Sequence, residues 1–444
     1  MVTFWLQFAV VLGAILLGMR RGGVALGMIG GFGVLVLTVV FRIKPTEPPI
    51  LVMLIILAVV TASAVLEVAG GLQYLVQIAE RLLRRHPKRV AILAPFVTFS
   101  LTVCVGTGHA VYTLYPVIAD VALRTGIRPE RPMAVSAIAS QMGIVASPVA
   151  AAVTTFLGLA ANTPQPVGLL DILKVTVPAS LVGVLAAALW SVNRGKDLDK
   201  DPEFQARLKD PAYRESLGIA VTSLDKPLPR TARLSVVIFL TGIASIVVIA
   251  LFPQALPSFD GKPVPLTTVV QMIMLSAGAV LLFATGARPA EVVRSSVFTA
   301  GMVAVVAIFG IAWMSDTFVK GNQEVIVGGV QKMVEYSPWT FGIALFAVSA
   351  FVKSQAATLA IMIPFGLALG LPTTVLLGVM PACYAHFFFC TYPGDLAAMS
   401  MDPTGTTRIG RYLLNHSFMV PGLIGVGVAT TVSYFLSRMF FSGS

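Results

Sequence analysis

Between Glu335 and Asp395 the chain carries one formal charge, Lys353, set in the apolar stretch FVKSQAATLAIMIP. An ammonium in such surroundings calls for an anion. The chemistry it offers is capture of a substrate carboxylate, with Asp395 across a cavity as counter-charge or proton carrier. The competing reading is a lysine at the end of a full span starting at Trp339, snorkelling to the headgroups. Other polar residues stand in short runs within apolar sequence. They are Gly106, Thr107, Gly108 and His109 in VGTGH, Ser354 and Gln355 beside Lys353, Ser147 in ASP, and Thr391 and Tyr392 ahead of Asp395 in CTYPGD. Their types suit binding. His109 can titrate with a proton or donate to a ligand. Hydroxyls beside prolines satisfy freed carbonyls as readily as they meet a ligand, and small residues let a ligand approach the backbone. His386 reads as a packing residue. Neither HExxH nor GxSxG occurs, so an intramembrane hydrolase, and enzyme chemistry generally, finds no support. Cys104, Cys383 and Cys390 lie in apolar segments without CxxC spacing, which indicates neither a metal site nor a disulfide framework. No cofactor is implied.

The elements that position these residues follow from composition. With 57% apolar and 11% charged residues and a mean hydropathy of +0.88, the 444-residue chain reads as a multi-span helical membrane protein. The net charge of +11 sits in loops beside spans, where it signals orientation and not nucleic-acid binding. Arg81, Arg84 and Arg85 belong with those signals. The run MVTFWLQFAVVLGAILLGMRRGG has no basic region ahead of its apolar part and reads as a retained first span with its N-terminus outside. Spans are expected near 3–19, 22–41, 50–69, 133–160, 168–191, 234–252, 266–285, 296–316 and 417–440, about ten in all with a second broken helix. Residues 90–103 are too few to cross comfortably. With basic flanks on both sides, 90–123 reads as a re-entrant hairpin entering from the cytoplasm, GTGH at its tip. The charged segment 193–233 reads as a cytoplasmic linker.

The second half repeats the first. LEVAGGLQYLVQIAERLLRRHP precedes the first hairpin as DTFVKGNQEVIVGGVQKMVEYSP precedes a second, 339–370, and the tips GTGH and SQAA stand at similar intervals before Pro116 and Pro364. The helix break near 146–148 has its counterpart near 390–395. Span counting places the second hairpin outside, with Arg408 and Arg411 inside and both termini periplasmic. The expected fold is therefore all-α, with two inverted-topology repeats (1–192 and 234–444) and two opposed hairpins. Four helix interruptions meeting near the midplane would aim helix N-termini at one point and suit a small anion.

At these residues a resemblance enters. GGLQYLVQIAERLLRRHPK, CVGTGH, IRPERPMA, NRGKDLDKDPEFQ, TYPGDLAA and TTRIGRYLLNHSF resemble the anaerobic C4-dicarboxylate (Dcu) transporter family of bacterial inner membranes, nearly end to end. The loop around Asn162 to Val167 is less distinctive. The resemblance implies uptake, exchange or efflux of fumarate, succinate, malate and aspartate, typically fumarate against succinate during anaerobic respiration. It also implies a transport domain moving elevator-like against a dimeric scaffold. Lys353, Thr391 and Asp395 match polar positions of that family's second half, and Gly106 to His109 its first tip. Two other readings compete: a cation-coupled symporter of another organic anion, and a dicarboxylate sensor or partner of a sensor kinase, which needs no turnover.

Overall fold

The computed structural model describes residues 2–441 except 22, 162, 219–221, 253, 255, 260–261, 323–324, 326–337, 391 and 411–413. The expectations for Thr391, Asn162, Arg411 and most of the amphipathic stretch before the second hairpin fall outside the described residues. In the first half the helices are α1 (Val2–Arg21), α2 (Ala25–Val39), α3 (Ile50–Val68), α4 (Gly71–Arg85), α5 (Val90–Val105), α6 (Tyr115–Arg124), α7 (Glu130–Met142), α8 (Ala151–Ala160) and α9 (Leu169–Val192). Short helices α10 (Pro202–Arg207) and α11 (Pro211–Gly218) lie in the charged linker. The second half holds α12 (Ala232–Leu251), α13 (Leu266–Thr285), α14 (Pro289–Val292), α15 (Ser296–Gly321), α16 (Phe341–Val352), α17 (Gln355–Ala368), α18 (Thr373–Gly378), α19 (Pro393–Ser400) and α20 (Met419–Phe441). Apart from the pairing of Ser258–Phe259 with Lys262–Pro263 and one isolated bridge, the described fold is helical, as expected of a chain that must satisfy its backbone inside lipid.

Among the described residues seven helices are long and apolar enough to cross a membrane, and five shorter ones are also apolar. This is an integral membrane protein. One of the seven, Pro87–Val105, is longer than the sequence suggests, because a 3₁₀ turn at Pro87–Arg89 runs straight into α5. Only two residues, Lys353 and Ser354, separate α16 from α17. The break in the first half spans 143–150 between α7 and α8, and that in the second lies ahead of Pro393.

Helix contacts come in matched sets. α2 packs on α15 and α3 on α13; α1 lies on α2 and α12 on α13; α7 lies on α9 and α18 on α20; and α9 crosses α20. At the α2–α15 crossing the backbones touch. A Cβ at Gly310 would stand 1.7 Å from the Gly27 carbonyl oxygen, and one at Gly27 would stand 1.9 Å from that of Val306. Only glycine permits this approach, which replaces hydrophobic driving force with close van der Waals contact between spans.

The amphipathic α4 does not span. Its inner face places Glu80 at 0% exposure against the end of the linker. There the carboxylate accepts from Thr222 Oγ1 at 2.7 Å, from the Ser223 N–H at 2.7 Å and hydroxyl, and from Arg84 Nε at 2.8 Å. Arg84 also reaches Asp120 on α6 at 3.1 Å, so it is a structural tie and more than the orientation signal the sequence suggested. Burial opposes the charge on Glu80, but the Ser223 and Thr222 hydroxyls, Arg84 and the Ser223 N–H together hold it below the usual carboxylate range. A depressed folded-state pKa contributes stability above the unfolded value, lost as pH falls through the folded one. Glu80→Gln is therefore expected to flatten the decline in thermal stability of the detergent-solubilised protein below about pH 4.5. An unchanged acid limb would show that this clamp carries none of it.

Candidate functional site

Both interhelical tips are built the same way. α5 ends at Gly106 (φ 81°, ψ 5°) and the next residue, Thr107, is extended (φ −144°, ψ 139°), its Oγ1 accepting from the His109 N–H at 3.4 Å. α16 ends at Lys353 (φ 52°, ψ 27°), and Ser354 is extended (φ −147°, ψ 116°), its Oγ accepting from the Ala357 N–H at 3.3 Å. In each case a left-handed residue stops one helix and a hydroxyl caps the next. This conformation pairs Gly106 with Lys353 and Thr107 with Ser354, one residue earlier than the sequence comparison of GTGH with SQAA. The cause is that small side chains guided the comparison, whereas the left-handed residue sets the turn. A lysine there costs about 1–2 kcal/mol of backbone strain that glycine avoids.

The two tips and two breaks meet at one cavity of about 520 Å³. Its wall includes Gly106, Thr107 and His109 from the first tip, Lys353, Ser354 and Gln355 from the second, Val149 and Ala151 from the first break, and Tyr392 and Pro393 from the second. Residues of α2, α3 and α15 contribute much of the remaining wall, Ser63 and Gly301 among them. Four helix starts, at Thr107, Ala150, Ser354 and Tyr392, thus lie at or beside the cavity wall, each with first-turn N–H groups that the helix itself cannot satisfy. No group of three or more His, Cys, Asp or Glu residues able to hold a metal occurs among the described residues.

Three expected residues lie outside that wall. Ser147 donates to the Val103 carbonyl at 2.8 Å and so fastens the first break to the last turn of α5. Gly108 packs against Gln141, whose Nε2 lies 2.1 Å from where a Cβ would stand. Asp395 is 1% exposed in the first turn of α19, and its Oδ2 has no partner among the described residues. It lies in Coulombic range of Lys353 and of Tyr112, Tyr115, Tyr384 and Tyr392. Lys353, at the cavity wall, makes no ion pair within 4.0 Å among the described residues.

Gln141 is the residue that sequence reasoning missed. It lies in the last turn of α7, lines the cavity, and its backbone carbonyl accepts from Gln355 Nε2 at 2.8 Å. Its side chain abuts Gly108 and neighbours Tyr392, itself next to Tyr112. One residue therefore joins the two tips, its side chain against Gly108 and its carbonyl on Gln355, and it stands just before the first break. His386 is buried as expected, edge-on to Tyr384 and tilted against Tyr392, yet it also lines the cavity.

Interrupted helices meeting at a cavity inside a bundle of apolar spans are an arrangement suited to a membrane transporter. The model of a family described as "Anaerobic c4-dicarboxylate membrane transporter" matches residues 3–441, and the chain belongs to that family. It is 46% identical over 441 residues to the anaerobic C4-dicarboxylate transporter DcuB of Escherichia coli O6:H1, covering 98% of this chain and 99% of that one. It is 38% identical over 432 residues to the C4-dicarboxylate transporter DcuA of Wolinella succinogenes (97% and 98%), and 36% identical over 434 residues to DcuA of Escherichia coli K12 (97% and 98%).

Proposed function

We propose that the protein is a secondary transporter of C4-dicarboxylates in the bacterial inner membrane, exchanging fumarate, succinate, malate and aspartate, with fumarate against succinate as the main antiport. The observation that carries this reading is the cavity: four helix starts and the ammonium of Lys353 at or near one wall, a surplus of donors and positive potential suited to a small dianion. One carboxylate meets Lys353 and Ser354; the other meets Thr107 and His109. Asp395, in Coulombic range of Lys353 but not ion-paired with it, offsets only part of that charge when the site is empty.

The two halves act as inverted repeats. In support, exchanging α1, α2 and α3 with α12, α13 and α15 turns the α2–α15 contact into the α13–α3 contact and leaves the α9–α20 crossing unchanged. The hairpins and broken helices form the moving body and α1–α3 with α12–α15 the scaffold, in an elevator-like cycle on a dimer. The scaffold residues beside the cavity, Gly18, Gly23 and Val297, lie next to Arg20, Arg21 and Arg294 in sequence, which the positive-inside rule assigns to the cytoplasm. The site accordingly faces inward in this conformation. Reorientation without a dianion is slow, because it carries Lys353 across uncompensated, so transport proceeds by exchange.

The test is counterflow in proteoliposomes loaded with unlabelled succinate, following labelled fumarate, succinate, aspartate and citrate with and without a pH or sodium gradient. Rapid entry of the four-carbon acids that needs internal substrate and no ion gradient is the expected result. Entry only with an ion gradient, or of citrate alone, would overturn antiport of C4-dicarboxylates, and binding without any entry would point to a sensor.

A further inference from the structure

α4 has an outer face that the transport site does not use. Ile78, Arg81, Leu82 and Arg85 follow the i, i+3, i+4, i+7 spacing of one helix face, and all are exposed, Ile78 at 43% and Leu82 at 41%. Exposed Lys88 and Arg89 continue the cationic row past the helix end. Among the described residues no carboxylate lies within 4.0 Å of Arg81, Arg85, Lys88 or Arg89, in contrast to Arg84, which is bound to Glu80 and Asp120. Two aliphatic side chains flanked by four unpaired cations have no use for water alone. The chain leaves the membrane at the end of α3 and re-enters at α5, so α4, about 22 Å long, must lie along that one face of the bilayer. There its apolar side chains reach the acyl boundary while its guanidinium and ammonium groups stay at the level of the headgroups.

We propose that this face of α4 binds anionic phospholipid headgroups of the adjoining leaflet, and that the contact sets the rate of transport. Charge selects the occupant: four cations beside an aliphatic pair fit the phosphodiester of a lipid with net negative charge better than the zwitterion of a neutral one. Transmission follows from the opposite side of the same helix. Glu80 and Arg84 tie α4 to the linker end and to Asp120 on α6, the helix that follows the first tip, so an α4 held at the headgroups fixes the base of that hairpin. The lipid contact stands by itself; its effect on transport rests on the function proposed above.

The first measurement is independent of transport. The fluorescence added by Leu82→Trp is read in bilayers containing brominated phosphatidylglycerol or brominated phosphatidylcholine at equal mole fraction. Stronger quenching by the anionic lipid is expected, lost when Arg81, Arg85, Lys88 and Arg89 are all replaced by glutamine. Equal quenching by the two lipids, or a preference that survives in the neutralised variant, overturns the site. The second measurement is succinate exchange in phosphatidylcholine vesicles with increasing phosphatidylglycerol, with the inserted orientation checked by protease accessibility of the charged linker. Wild-type exchange is expected to rise on the order of tenfold, and the neutralised variant to stay level. Selective quenching with exchange indifferent to the lipid would overturn the coupling to transport. Exchange absent in every lipid would count against the proposed function, with the quenching still deciding the contact.

Discussion

Lys353→Ala is expected to abolish most succinate exchange. Removing one partner of a desolvated, hydrogen-bonded charge pair costs about 2–5 kcal/mol, which is a factor of roughly 30 or more. The loss should appear in both apparent affinity and maximal rate, because the same ammonium binds the dianion and neutralises part of its charge while the loaded carrier reorients. A control separates charge from fold. Lys353 holds a left-handed backbone (φ 52°), so Lys353→Gly removes the ammonium while relieving the strain there. The glycine variant should be at least as heat-stable as the alanine variant and equally inactive. Lys353→Ala exchanging labelled succinate at the wild-type rate would remove the lysine from the site. Recovery of exchange in Lys353→Gly alone would make its role conformational.

This lysine was visible in the sequence because charge is rare in the second half's apolar runs, and rarity needs no three-dimensional knowledge. The spans were legible for the same reason: α3, α13 and the start of α15 fall within a residue or so of the hydropathy runs. The tips were legible through proline and small residues, yet their register was not. A lysine in the left-handed region leaves no composition signal, so the match of Lys353 to Gly106 emerges only from backbone angles. Gln141 was invisible for a different reason. It is one neutral amide in SAIASQMG, and its importance lies in partners 33 residues earlier at Gly108 and 214 later at Gln355. Asp395 stands out in the sequence by its charge, but its place behind the cavity wall does not, since sequence order does not say on which side of α19 a side chain emerges. The run RTGIRPER reads simply as basic, although Arg128 and Arg131 turn out to be bound within the protein.

That basic run leads to the second large effect, at a residue nothing in the sequence marks out. Glu130→Ala is expected to destabilise the solubilised protein by about 3–5 kcal/mol, the cost of leaving partly buried cations without their anion. Glu130 is 6% exposed at the start of α7. Its carboxylate takes Arg128 Nε at 2.7 Å and Arg194 Nη2 at 3.1 Å, and accepts from Ser417 Oγ at 2.7 Å, while its own N–H donates to Thr406 Oγ1 at 3.1 Å. Arg128 also pairs with Asp201 of the linker, and Arg194 also donates to the Ser417 carbonyl. One carboxylate thus joins α7, the end of α9 and the loop that follows α19. Glu130→Gln keeps the volume and an acceptor for Ser417 but not the charge, so it should lose less than Glu130→Ala. A melting temperature unchanged in both would mean that the network behaves like solvated surface pairs, which contribute little. Loss of stability accompanied by slower exchange, with a similar apparent affinity for succinate, would indicate that the two broken helices move as one unit. Their joint is then at the cytoplasmic ends assigned above, and the cavity itself needs only to hold the dianion.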